Sequence, residues 1–401
     1  MNFLVKIFII LVVIGSGTPF NEDFPIVSVG MLLLYIIMLI RKDIVLTKHW
    51  ISAVLIIGIA SIFWLYMNSL YSSADNSIVV INYSLILLIC FTFCAQKRTS
   101  LQDIIDYAIR VILVLSIIST FVYLLVIAGV SLPTITTISF GGKTSYFYIL
   151  HLSENPVFGF GIPRNAGMYW EPGMYMIYLN FVLLYYIFKA DNKDRIKRLL
   201  VISFCLFAIF TTGSITGYML AFSGIALSVL NIKNKVGVLV IALFAVVIIS
   251  ILPFMTMFFE NKMTEKSYVY RTYDLVEGFK LYLTRPIFGY GLVNNVFNLF
   301  ADKGLGAERG NTNGIMNVLI NLGAVGFIIY CTLLNRFSSL FSKVSVKATA
   351  KLAVIIWLVG SFMNEPLSFH PFVFLMLGLG YACINKTIRK LSSPVSNKNY
   401  T

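Results

Sequence analysis

Arg164 and Glu171 stand seven positions apart in "RNAGMYWEPGMY" (164–175), in a chain where 58% of residues are hydrophobic and only 12% are charged. Pro172 suits the first turn of a helix, because its missing N–H has no partner to lose there. Glu171 then sits at a helix N-terminus, where the macrodipole favours an anion. Two readings are open. The pair is a charged cap with Arg164 as its loop cation, or a site in which a cation holds an anion and a carboxylate takes a proton.

Three more polar clusters raise the same choice. "YRTYDL" (270–275) carries Arg271, and "TRPIFGYGL" (284–292) carries Arg285, with Gly289 and Gly291 giving a tight turn that lets backbone approach a ligand. Lys280 and Arg309 add cations to the same stretch. "RGNTNGIMNVLINLGAVGF" (309–327) carries Asn311, Asn313 and Asn317, suited either to sugar hydroxyls or to helix caps. "MNEPLSFHP" (363–371) repeats the Glu-Pro device as Glu365 before Pro366, with His370 a turn further on. An ionisable group at membrane depth is a functional candidate; at the interface it serves equally as a local cap. Arginine suits bidentate phosphate contact. Glutamate or histidine takes a proton from an attacking hydroxyl when burial tunes its pKa.

The elements that must position these residues are membrane spans. Apolar run length predicts twelve: 3–18, 25–40, 50–69, 78–95, 108–130, 172–189, 196–212, 214–231, 236–259, 313–334, 348–364 and 366–385. The seventh and eighth divide one long apolar stretch at "TTGSITG" (211–217). With both termini cytoplasmic, nine of the 31 cations fall outside: Lys143, Arg164, Lys262, Lys266, Arg271, Lys280, Arg285, Lys303 and Arg309. All nine lie in two long outer segments, 131–171 and 260–312, and the remaining cations follow the positive-inside rule. Long ordered loops on one face are usually functional. In the second, Val269, Thr272, Val276, Phe279 and Leu283 recur at helical spacing, which predicts a helix over 267–283 with that face on the bundle or the lipid interface. Arg271 and Asp274 fall on the opposite face.

The expected class is thus an all-α polytopic membrane protein, residues 1–401 forming one integral membrane domain. The net charge of +14 sits in short clusters between apolar runs, as topology signals do, so nucleic acid is not an expected partner. All five cysteines fall inside apolar runs, the three histidines are scattered, and no D-x-D pair occurs, so no metal site and no disulfide framework are expected. The first apolar run has Lys6 near its start and no small-residue cleavage site, and reads as a retained span.

The R-x-x-G-x-x-x-E-P-G pattern at Arg164, Gly167, Glu171, Pro172 and Gly173 resembles Wzy-type O-antigen and capsular polysaccharide polymerases. So do Arg271, Pro286-x-x-Gly289-x-Gly291, Asn313 and Gly323-x-x-Gly326, over roughly residues 100–385. The resemblance implies a metal-independent glycosyltransferase of the bacterial inner membrane, GT-C-like in fold, needing no cofactor. It joins lipid-linked repeat units at the periplasmic face. Donor and acceptor are glycans on undecaprenyl pyrophosphate, membrane lipid surrounds the protein, and a chain-length regulator is a possible partner. Arg164 and Arg271 hold the pyrophosphate, with Lys280, Arg285, Arg309 and Asn313 as further binding residues. Glu171 is the first choice of base, with Glu365 and His370 in reserve. O-antigen ligases of the same superfamily carry a histidine where this chain has Thr312, which favours a polymerase. A ligase is one alternative and a lipid-linked sugar transporter another. Spans nearly free of charge at mid-depth, with polar residues gathered at one face, argue against the transporter.

Overall fold

The computed structural model describes residues 1–20, 26–44, 47–71, 76–95, 100–136, 144–156, 162–188, 194–229, 266–292, 297, 311–344 and 348–392. Among these are twelve α-helices: α1 (Phe3–Ile14), α2 (Ile26–Ile40), α3 (Lys48–Tyr71), α4 (Asn76–Ala95), α5 (Leu101–Ile127), α6 (Pro172–Phe188), α7 (Arg195–Thr211), α8 (Ile215–Val229), α9 (Lys266–Thr284), α10 (Gly314–Val344), α11 (Ala348–Asn364) and α12 (Pro371–Ser392). Eleven correspond to predicted spans; span 236–259 lies outside the described residues. Lys48–Leu70, Ser77–Ala95, Leu101–Ile127 and Gly314–Phe341 are long and apolar enough to cross a bilayer. The chain is a multi-pass membrane protein. The division of residues 196–231 falls where the glycines are: α7 ends at Thr211, Gly213 takes φ +58°, and α8 starts at Ile215.

Helix α6 is apolar on every side, and a helix of that kind belongs in a core. All but two of its residues are buried, Gly173 and Tyr186 being the partial exceptions. It packs against α5, α7, α8 and α11. Its start is pinned by Tyr169 stacked on Tyr178 at 4.4 Å, by the Tyr178 hydroxyl donating to the Ser16 carbonyl at 2.9 Å, and by Trp357 Nε1 donating to the Ile177 carbonyl at 3.0 Å. Helix α12 packs against α4 and α10, while α3 turns Leu55, Ile59 and Ile62 outward, the surface lipid would cover.

One expectation is corrected. The chain is not all-α: the first long segment folds as an antiparallel meander, β1 (Ile135–Thr136), β2 (Thr144–Tyr146), β3 (Leu150–Pro156) and β4 (Pro163–Asn165). Phe147 and Tyr148 turn the β2–β3 hairpin at positive φ without glycine, with the Ser145 hydroxyl accepting from Tyr148 N at 3.0 Å. The helix expected over 267–283 is α9, and of the two facings left open for its apolar stripe the exposed one, toward the lipid interface, is the one it takes. Val269, Val276, Phe279 and Leu283 are exposed, while Asp274, Gly278 and Leu281 face inward. The carboxylate goes inside because partners wait for it: Asp274 Oδ2 accepts from Thr312 N at 2.9 Å and from Thr312 Oγ1 at 2.5 Å.

Helix α10 is broken at Gly323 (φ +64°, ψ −172°), a conformation open essentially to glycine alone. A break in a membrane helix frees polar backbone groups that lipid cannot satisfy. The stretch 286–291 satisfies them. Tyr290 N and Gly291 N donate to the carbonyls of Ile320 and Asn321 at 2.9 and 2.8 Å, and Ala324 N and Val325 N donate to those of Pro286 and Ile287 at 2.7 and 3.1 Å. The tight turn at Gly289 brings backbone to α10, where a Cβ would lie 2.6 Å from Gly323 N.

Candidate functional site

Strand β4 carries Arg164, paired in register with Ser153. The neighbouring Asn165 is fully buried and anchors the strand. Its Nδ2 donates to Thr211 Oγ1 at 3.0 Å, and its Oδ1 accepts from Gly167 N at 2.9 Å. Arg164 is thereby laid across the C-terminus of α7, where Nε donates to the Thr212 carbonyl at 2.7 Å. Helix C-termini carry partial negative charge, so the guanidinium is at home there. Gly213 leaves room for its stem, since a Cβ would lie 3.2 Å from Nε.

Seven residues on, the Glu171 carbonyl accepts from Met174 N and Tyr175 N, so Glu171 caps α6 and Pro172 opens it, as expected. Glu171 is exposed. Gly167 takes φ +59° over the Tyr175 ring. Gly173 has a different reason to be glycine: a Cβ there would collide with the Glu365 carboxyl, which packs onto the first turn of α6.

Arg271 reaches the same place from α9. Its Nη1 donates to Asn364 Oδ1 at 2.7 Å, and its Nη2 lies 3.5 Å from Glu365 Oε1. Asn364 Oδ1 also accepts from Thr216 Oγ1 at 3.0 Å, tying α8 to the junction. The pair is lopsided: the Glu365 side chain is 4% exposed and that of Arg271 42%. Burial drives the Glu365 carboxyl up from its ordinary range and the charge of Glu171 adds to this. Arg271 and Arg164 pull the other way, leaving it at about 8. Two arginines and two glutamates distant in sequence therefore share one electrostatic site.

His370 ends the short 3-10 turn Leu367–Phe369. Its ring lies 5.4 Å from that of Trp170, the residue before Glu171. Enclosure of the imidazole lowers its pKa to about 4 against a hydrogen bond to the Pro366 carbonyl, so it is neutral at physiological pH.

The other expected residues lie elsewhere. Lys280 is exposed and paired with Glu277 at 2.6 Å; Arg285 covers the Tyr290 ring at 5.2 Å; Arg309 lies outside the described residues. Asn313 Oδ1 caps α10, accepting from Ile315 N and Met316 N at 3.0 and 3.1 Å, and Asn311 Oδ1 accepts from Asn313 N at 2.7 Å. Thr212 and Asn364 were missed by the sequence reading. Thr212 acts through its carbonyl, and Asn364 had no signal beyond its place next to Glu365. Among the described residues no three His, Cys, Asp or Glu side chains converge as metal ligands.

Residues 199–331 match the model of a family described as O-antigen ligase. The matched stretch contains Thr212, Arg271, Asp274, the 286–291 plug and the Gly323 break. A search of curated proteins found no match. The family match agrees with the resemblance to the O-antigen polymerase and ligase superfamily.

Proposed function

We propose, from the O-antigen ligase match and the four-charge site, that this protein polymerises lipid-linked oligosaccharide repeat units at the outer face of the bacterial inner membrane. The observation that carries the reading is the convergence of Arg164 and Arg271 beside Glu171 at the start of the central helix. In the reaction the acceptor hydroxyl attacks the anomeric carbon of the donor glycan. The bond from that carbon to the pyrophosphate oxygen breaks, and undecaprenyl pyrophosphate leaves with the bonding pair. Arg164 and Arg271 hold the leaving group; each positioned donor is worth about 3 kcal/mol of barrier. The exposed Glu171 takes the acceptor proton and passes it to water. His370 stays neutral and buttresses Trp170, which fixes the approach to Glu171.

A ligase is the second reading, favoured by the description of the matched family. Against it, the position where ligases of the superfamily carry a histidine base holds Thr312, hydrogen-bonded to Asp274. Purified protein in liposomes, supplied with lipid-linked repeat unit, tests the choice. A ladder of products supports the polymerase. Transfer of a single block to a non-repeat acceptor, with no ladder, assigns the chain to ligation.

A further inference from the structure

Arg271 has two partners in its site at once, the amide of Asn364 on Nη1 and the carboxyl of Glu365 on Nη2, and only the second can gain or lose a charge. Its own side chain is partly exposed while Glu365 is enclosed by the first turn of α6, the start of α10 and the α11–α12 junction. An enclosed carboxylate is costly unless a cation answers it, and the cost vanishes when it carries a proton. A bound pyrophosphate also needs that cation. The anion and the ionised carboxylate therefore compete for one guanidinium.

We propose that Glu365 is a proton-linked positioning residue for Arg271: the ionised carboxylate holds the guanidinium, and the protonated carboxyl yields it to a pyrophosphate-bearing lipid. The inference rests on the proposed function for the identity of the lipid. The charged groups that face Glu365 are Glu171 from the start of α6, Arg164 from β4 and Arg271 from α9. His370, on its own junction, is neutral and contributes no charge. Glu171 repels the ionised form, and taking Arg271 away removes attraction, so both favour proton uptake when the anion binds. Gly173 belongs to the device, since any side chain there displaces the carboxyl from Arg271. The proton moves between Glu365 and water; no bond other than O–H is made or broken.

The test is calorimetric titration of the purified full chain with undecaprenyl pyrophosphate in detergent, in buffers of different ionisation enthalpy, from pH 6 to 9. For the wild-type protein, affinity is expected to level below about pH 7 and to weaken above pH 8 by up to about tenfold per pH unit, with proton uptake on binding near pH 8. Glu365→Gln is expected to bind with a flatter profile and less proton uptake, and Glu365→Asp to restore the slope. Matching profiles for wild type and Glu365→Gln overturn the proposal while leaving the proposed function standing. Failure of the wild-type protein to bind the lipid at any pH overturns both. Infrared spectra of the ligand-free wild-type protein provide a second reading independent of any variant's folding. A protonated-carboxyl band lost with a midpoint near pH 8 supports the proposal, and its absence at pH 6 overturns it.

Discussion

Glu365 meets a larger change in environment on folding than any other carboxyl in the site, and the consequence is a stability that depends on pH. Its pKa rises from an ordinary 4.5 to about 8, so the native protein keeps a proton that the unfolded chain gives up. Stability from this group is therefore full below pH 4.5 and is lost as pH rises through about 8. Melting curves in detergent from pH 5 to 9 should show Glu365→Gln gaining on wild type as pH rises; parallel curves would contradict the assignment. Asp274 behaves differently. It answers two donors of Thr312, so Asp274→Ala should cost about 2–3 kcal/mol, read as a lower unfolding midpoint. At this scale the sequence disclosed residues whose type is itself the signal, such as Arg164, Glu171, Arg271 and Glu365. It concealed Thr212, which contributes a carbonyl that every residue has, and it left asparagines readable as either sugar ligands or caps.

Elements rather than side chains explain the glycines. Gly323 breaks α10, and the 286–291 stretch fills the break with four backbone hydrogen bonds. Gly323→Ala forces a Cβ into the Ile287 carbonyl at a φ that alanine avoids, and should cost about 2–3 kcal/mol in a thermal unfolding assay. Gly173→Ala should leave the bundle folded but push the Glu365 carboxyl off Arg271, so that affinity for the pyrophosphate-bearing lipid no longer weakens above pH 8. A wild-type fall in affinity above pH 8 would separate Glu365 from Arg271. The apolar helices were legible because run length alone marks them, down to the break at Gly213. The sheet was not: its strands are short, and its hairpin turns on Phe147 and Tyr148, residues that give no turn signal. The apolar stripe of α9 gave its period and left two facings open, and the partners that Asp274 finds inside decide for the outward one.

On the scale of the molecule, a central apolar helix starts where two arginines and two glutamates meet, and the proposed function requires that end to lie at the outer face. In a cysteine-free background, Phe147→Cys in the β2–β3 turn should label with a membrane-impermeant maleimide in intact spheroplasts. Lys42→Cys, after α2, should label only once the membrane is opened. The reverse pattern would turn the site to the cytoplasm. The central claim, that Arg164 and Arg271 hold the departing pyrophosphate, is tested most directly by the initial rate of repeat-unit transfer in liposomes. Arg164→Ala and Arg271→Ala should each fall about 100-fold or more, while Lys280→Ala, paired at the exposed surface with Glu277, keeps the wild-type rate. Wild-type rates from both arginine variants would contradict the account.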